Sequence, residues 1–309
     1  MSNETKFLEM DTARVYDAMG ESGHDFEVEM QPLLLPCGKE IWDKKATVRK
    51  DTGQYLGTVG SGYNLLQPIQ FYEMAHQLIE ATGGRINKTV TMSNGAVIGI
   101  SFNLATREYV DGDPVELNFL MMTSFNMRYS ILGRALSNRL FCLNQLPSST
   151  SLFNIKHTRY LDHRLDTAMK MLGYYGKEMK GFDSKMNLLT QYRMPEARQI
   201  EWFTNLFPKP KAETRAVARL DNQTDKFAEL LVTGLGTDHP NVKGTGYHAL
   251  NALTEFCNHH RSTRVSDGKT EEEVRFEAIT FGSADTLMQK GFTSLLQLAK
   301  TDPQDRYVR

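Results

Sequence analysis

Apolar and polar positions alternate in short runs along the first 145 residues, broken by turn-forming residues, as in strands half buried in a sheet. In "KKATVRKDTGQYLGTVG" the triplet Asp51-Thr52-Gly53 separates two β-favouring runs and predicts a hairpin. "NKTVTMSNGAVIGISFNLA" carries Asn94-Gly95, the strongest short hairpin signal, between alternating apolar residues. Asp111-Gly112 precedes a further strand, "VELNFLMMTSF", and "NRLFCLNQL" reads as a strand entering a helix. One segment, "YNLLQPIQFYEMAHQLIEATGG", departs from period two. Its Ile69, Tyr72, Ala75 and Ile79 recur at helical spacing and Gly83-Gly84 supplies a stop, which predicts a helix over 68–82.

From residue 161 the period lengthens to that of a helix. "YLDHRLDTAMKMLGYYGKEMK" places Leu161, Leu165, Ala168, Leu172, Tyr175 and Met179 on one face. "PEARQIEWFTNLF", "AETRAVARLDNQTDKFAELLVTGLG", "YHALNALTEFCNHHR" and "ADTLMQKGFTSLLQLAK" also read as helices, joined by loops at 208–211, 234–246 and 264–273. Strands followed by helices predict an α+β fold: an antiparallel sheet with a packed helix in the first half and a mainly helical second half. The expected division is a strand-rich domain with a basic groove over 1–160 and a helical domain over 161–309.

Composition narrows the class. The chain has 309 residues with 36 basic and 37 acidic side chains, so any anion-binding surface must be a local patch. No run of 18 apolar residues occurs, which predicts no transmembrane helix. The acidic, polar opening "MSNETKFLEMDTARVYDAMG" is unlike a secretory signal. Cys37, Cys142 and Cys257 lie far apart with no CxxC pair, which suits neither a disulfide scaffold nor a cysteine zinc site. A soluble cytoplasmic protein is expected.

One stretch breaks the charge balance. No Asp or Glu occurs from Leu117 to Leu161, 45 residues, whereas Arg128, Arg134, Arg139, Lys156 and Arg159 do. Phe125, Tyr129, Phe141, Phe153 and Tyr160 are interleaved with them. Single-stranded nucleic acid is bound by such mixtures: cations follow the phosphates and aromatic faces stack on bases. Arginine suits phosphate because its planar fork can bond two oxygens. The bland alternative is that several aromatics face the core and the arginines lie solvated on a surface.

Other candidates are weaker. "KGTGYHALNA" puts two glycines at a helix start, where amides can hold phosphate, but it matches no P-loop and reads better as a loop capped by Thr245. His248, Glu255 and His259 share a helix face, yet the seven-residue gap from His248 to Glu255 places those two about 10 Å apart, too far for one ion. His157 and His163 have no evident acid–base partner, and Ser148-Ser149-Thr150-Ser151 lacks a nucleophile elbow. No catalytic residue, metal ligand or cofactor is assigned, and an enzyme is the less favoured class.

The segments "VRKDTGQYLGTVGSGYNLLQP", "NRLFCLNQLP", "IKHTRYLDHRLDTA", "GTGYHALNALTEF" and "FGSADTLMQKGF" together resemble a phage- and plasmid-like family, domain of unknown function 932. The likeness runs in order from about residue 40 to 300 and places Arg139, Cys142, Asn144 and His157 on the family's pattern. "MRYSILGRA" departs from it, since the family more often has small residues and Gly before its arginine. By fold-level analogy the resemblance implies kinship with single-strand annealing recombinases, which assemble as rings or filaments around a basic groove. It implies an ATP-independent protein of a mobile element that binds and anneals single-stranded DNA as a homo-oligomer. The site residues expected are Arg128, Arg134, Arg139, Lys156, His157 and Arg159, with Phe153 and Tyr160 for stacking. The alternatives are a counter-defence protein that binds a host protein, and a nuclease or hydrolase.

Overall fold

A computed structural model describes residues 5–302, apart from 111–112, 140–144, 147–150, 162, 166, 168–174, 209–214, 236, 238–239 and 266–268. For 108, 113, 138–139, 145–146, 151–152 and 175–180 it describes the backbone alone. The first half runs β1 (Lys6–Thr12), α1 (Val15–Glu21), β2 (Val28–Leu34), β3 (Glu40–Arg49), β4 (Tyr55–Gly60) and α2 (Pro68–Thr82). It continues with β5 (Arg85–Met92), β6 (Val97–Val110), β7 (Asp113–Ser124), β8 (Ile131–Arg139), β9 (Gln145–Leu146) and β10 (Ser151–Ile155). One antiparallel sheet has the order β1-β5-β6-β7-β8-β10, with β9 also pairing β8, and β2-β3-β4 form a second, three-stranded sheet. The second half is mainly helical: α3 (Tyr175–Gln191), α4 (Glu196–Asn205), α5 (Arg215–Thr233), α6 (Gly246–Glu255), α7 (Glu271–Thr280) and α8 (Ser283–Thr301). The α+β reading holds.

Turn chemistry sets the register. Gly53, at φ 69°, closes the β3–β4 hairpin at the expected triplet. Ser93, Asn94 and Gly95 all take positive φ (53°, 56° and 87°), which turns β5 into β6 with Met92 opposite Val97. Asp111-Gly112 lies outside the described residues.

The 68–82 helix forms as expected. Gln67 and Gln70 cap its start reciprocally, and Gly83 in the left-handed conformation ends it. Its buried face is rotated from the expected one. Ile69 is 40 % exposed, whereas Phe71, Met74 and Leu78 join Tyr72, Ala75 and Ile79 inside. "NRLFCLNQL" also needs correction: Gln145–Leu146 continue as strand, paired with Asn138 and Ser137 of β8. Backbone groups of the adjacent β8 edge are satisfied by this pairing, and residues 140–144 lie outside the described ones.

Both faces of the large sheet are covered. Ile98, Ile100, Phe102, Phe119 and Met121 share one core with α1 and α2. On the other face Val90, Met92, Leu120, Met122, Leu132 and Leu136 meet Phe276 and Phe281, at and just beyond α7. β7 is therefore buried from Leu117 through Ser124, with no exposed face to carry alternation. All ten residues of α6 are buried at the centre of the helical half. Sheet residues Val110, Val115 and Leu117 belong to that same core, so packing continues across residue 160. Leu161 is buried in the sheet core and Leu165 packs against it, while Ala168 and Leu172 lie outside the described residues. No described helix is long and apolar enough to cross a membrane.

Candidate nucleic-acid interface

A run of cations without local carboxylates must be solvated, bound to an anion, or paired with carboxylates from elsewhere in the chain. Two of these arginines take the third course. Arg128, just before β8, donates Nη1 to Glu273 Oε1 at 2.7 Å and to Ser93 Oγ at 2.9 Å, and Nη2 to Glu277. The Glu273 side chain is fully buried on α7, and Glu277 also accepts from the Tyr129 hydroxyl and, at 2.6 Å, from Lys269. Burial opposes the Arg128 charge, yet its bonds to Glu273 and the charges around it raise its pKa overall. Glu277 is held below the usual carboxylate range: burial alone would raise it, but Lys269, Tyr129 and Arg128 outweigh that.

Arg134, six residues later on β8, repeats the arrangement. It points from β8 toward the α7–α8 junction, donating Nη1 to Thr280 O and Nη2 to Asp285 Oδ1 at 2.6 Å, with Phe281 beneath the guanidinium. Its side chain is only 13 % exposed. Arg128 and Arg134 thus clamp the second half onto the sheet, with Nη1 and Nη2 of each bonded to protein acceptors, while Arg134 Nε is buried without a partner among the described residues. Arg139 pairs with Val115 through the β7–β8 ladder; its side chain lies outside the described residues.

Two further candidates are anchors. Phe153 is buried on β10 against Phe119, at a ring distance of 6.1 Å, so neither face is open to a base. His157 is buried, stacked on Tyr63 at 4.6 Å, with Nδ1 3.1 Å from Asn64 O and Nε2 3.2 Å from Thr123 Oγ1. A neutral ring that donates from Nδ1 and accepts at Nε2 satisfies both contacts, and burial lowers its pKa. Neither nitrogen is free for a phosphate or for general-base work.

These anchors fix a short turn after the edge strand β10. Thr158 N–H bonds Lys156 O at 2.8 Å, Leu161 N–H bonds Thr158 O at 2.9 Å, and Leu161 is buried. With His157 and Leu161 turned inward, Lys156, Arg159 and Tyr160 are turned outward, Tyr160 to 63 % exposure. Lys156 and Arg159 form no ion pair with a described residue. Exposed Arg164 extends the patch, its Nη1 3.0 Å from Thr158 Oγ1. Three cations and an open aromatic ring on a fixed turn offer phosphate contacts beside a stacking face. The structure therefore brings together Lys156, Arg159 and Tyr160, and draws Arg128, Arg134, Phe153 and His157 into packing.

The remaining motifs resolve separately. Thr245 caps α6, accepting from His248 N–H at 3.1 Å. His248 is buried, its nitrogens 2.9 Å from Gln199 Oε1 and 3.1 Å from Leu231 O, while Glu255 accepts from Leu235 N–H at 3.2 Å. His259 lies beyond α6, exposed, on a π-helical turn. Among the described residues no group of three His, Cys, Asp or Glu side chains could hold a metal ion. Ser148, Ser149 and Thr150 lie outside the described residues, and Ser151 is described by its β10 backbone alone.

A protein-family model, Domain of unknown function (DUF932), matches residues 55–280. No curated protein and no solved structure matches the chain.

Proposed function

The chain belongs to the family described as domain of unknown function 932, and as that description states no function, we propose one from the site: ATP-independent binding and annealing of single-stranded DNA. The observation that carries this is the core-anchored turn that displays Lys156, Arg159 and Tyr160. Cations at fixed spacing follow a phosphate backbone without reading sequence, and an exposed tyrosine gives a base a face that paired DNA would not offer. Arg164 extends the contact. The reading accords with the mobile-element and annealing kinship that the resemblance implies, and with a homo-oligomer that lays successive copies of the turn along one strand.

Fluorescence anisotropy with a labelled single strand, in the absence of nucleotide and metal, tests it. Binding that weakens with salt and with Lys156→Ala or Arg159→Ala is expected. No binding at low salt by the folded protein overturns it.

A further inference from the structure

A second basic site lies in the helical half, on residues distinct from the turn at 156–164. On α5, Arg215, Arg219, Asn222 and Lys226 recur at spacings of four, three and four, and so share one face. That face meets the end of α6, where the helix widens into a π-helical turn, Phe256–His260, closed by Arg261 N–H on Phe256 O at 2.7 Å. Single π turns inside helices are frequent at functional sites. Between the two elements is a cavity of about 440 Å³ lined by Arg215, Arg219, Lys226, His260 and Arg261, with no carboxylate among its described lining residues.

The charge in this cavity is poorly compensated. Arg215 and Arg219 form no ion pair with a described residue, and Lys226 alone has a partner, exposed Glu229 at 2.7 Å. Arg261 Nη1 is buried and has no hydrogen-bond acceptor. A guanidinium donor removed from water and left unmade is unfavourable in itself, and a shift of the side chain toward a bound oxyanion would relieve it. Partial burial, then the Lys226 charge, lower the His260 pKa, and Glu255 and Glu229 do not restore it. The volume exceeds that of a bare phosphate and lies in the range of small-ligand sites.

The geometry points to a binding site for a phosphomonoester group, held by the forks of Arg219 and Arg261 with Lys226 and His260 beside them. The group could arrive on a free nucleotide or as the 5′-phosphate of an oligonucleotide end; the dianionic phosphate is common to both.

Isothermal titration of the full-length protein tests this with a nucleoside 5′-monophosphate, the unphosphorylated nucleoside, and a short oligonucleotide bearing either 5′-phosphate or 5′-hydroxyl. The expected result is binding that requires the phosphate and weakens at least tenfold in Arg219→Gln and in Arg261→Gln. Exposed Arg219 makes the first variant safe for folding, which thermal melting checks. Mononucleotide binding with no difference between the two oligonucleotides identifies a free ligand, and tighter binding of the 5′-phosphate than of the 5′-hydroxyl oligonucleotide identifies a strand end. The 5′-hydroxyl oligonucleotide reports on the turn and the mononucleotide on the cavity, so failure of the turn and failure of the cavity are separable. Equal affinity for nucleoside and nucleotide, or full affinity in folded Arg219→Gln, overturns the site.

Discussion

Arg128 reaches from the sheet to Glu273, whose carboxylate is fully buried 145 residues later, with 2.7 Å between Nη1 and Oε1. The pair is a joint between the halves of the fold. Truncating the arginine would leave the Glu273 charge buried and uncompensated, a loss of about 3–5 kcal/mol. Arg128→Ala should therefore show a lowered denaturation midpoint, and Glu273→Gln a smaller change because it removes the charge as well as the bond. A loss under about 1 kcal/mol in Arg128→Ala, within the range of an exposed pair, would remove the joint.

Gly133 faces Phe153 across the β8–β10 ladder. A Cβ there would meet the Phe153 ring at 2.4 Å and Phe119 Cζ at 2.6 Å. Rigid rings on a paired strand have little room to move. Gly133→Ala should destabilise by about 1–3 kcal/mol, and Phe153→Leu in the same chain should recover part of that loss. Equal stability of wild type and Gly133→Ala by urea titration would show that the strands part more easily than this packing allows.

Acid should weaken the fold well above the carboxylate range. His24 is buried, with its nitrogens 2.7 Å from the Tyr72 hydroxyl and 2.7 Å from Thr91 Oγ1, and burial, aided by Arg49, lowers its pKa from 6.5 to about 3. Between those values the unfolded chain binds a proton that the folded chain does not, so stability is full above pH 6.5 and falls as the pH drops. The loss at pH 5 is about 2 kcal/mol from this residue. His157 acts in the same direction, whereas Glu277 contributes only below the usual carboxylate range. Urea titrations at pH 7 and pH 5 check this, and His24→Gln should shrink the difference by about that amount, leaving the part due to buried His157 and His248.

How much of this was legible follows from the range of each interaction. The α2 helix, two hairpins and the change of period near residue 160 depend on neighbours within a turn or a strand, and the sequence shows them. The missing carboxylates did mark something real, but their counterparts for Arg128 and Arg134 are Glu273, Glu277 and Asp285, 145 to 151 residues away. No local pattern reveals such a partner. His157 and Phe153 carry the residue types of a binding surface, yet strand pairing and the Tyr63 stack turn them inward. The α5 cavity was missed for a different reason: Asp221 and Asp225 balance the linear count, and only helical geometry moves them onto a separate stripe from Arg215, Arg219 and Lys226.

The proposed interface is tested by separating phosphate contacts from structural cations. Each phosphate neutralised on a single strand contributes about 0.7 to the slope of log K against log salt. Lys156 and Arg159 are exposed and unpaired among the described residues, so each alanine variant should flatten the slope by about that amount and leave thermal stability unchanged. Arg134 should behave in the opposite way. Its guanidinium is bound to Asp285 and Thr280, so Arg134→Ala should lower the melting temperature and keep the wild-type slope in whatever fraction remains folded. Tyr160→Ala should weaken binding by about 1–3 kcal/mol at every salt concentration, since a lost stack releases no counterions. Light scattering with and without the strand reports on assembly, where an oligomer larger than a dimer is expected. If folded Lys156→Ala and Arg159→Ala both keep the wild-type slope, the turn does not hold phosphate and the annealing reading loses its site.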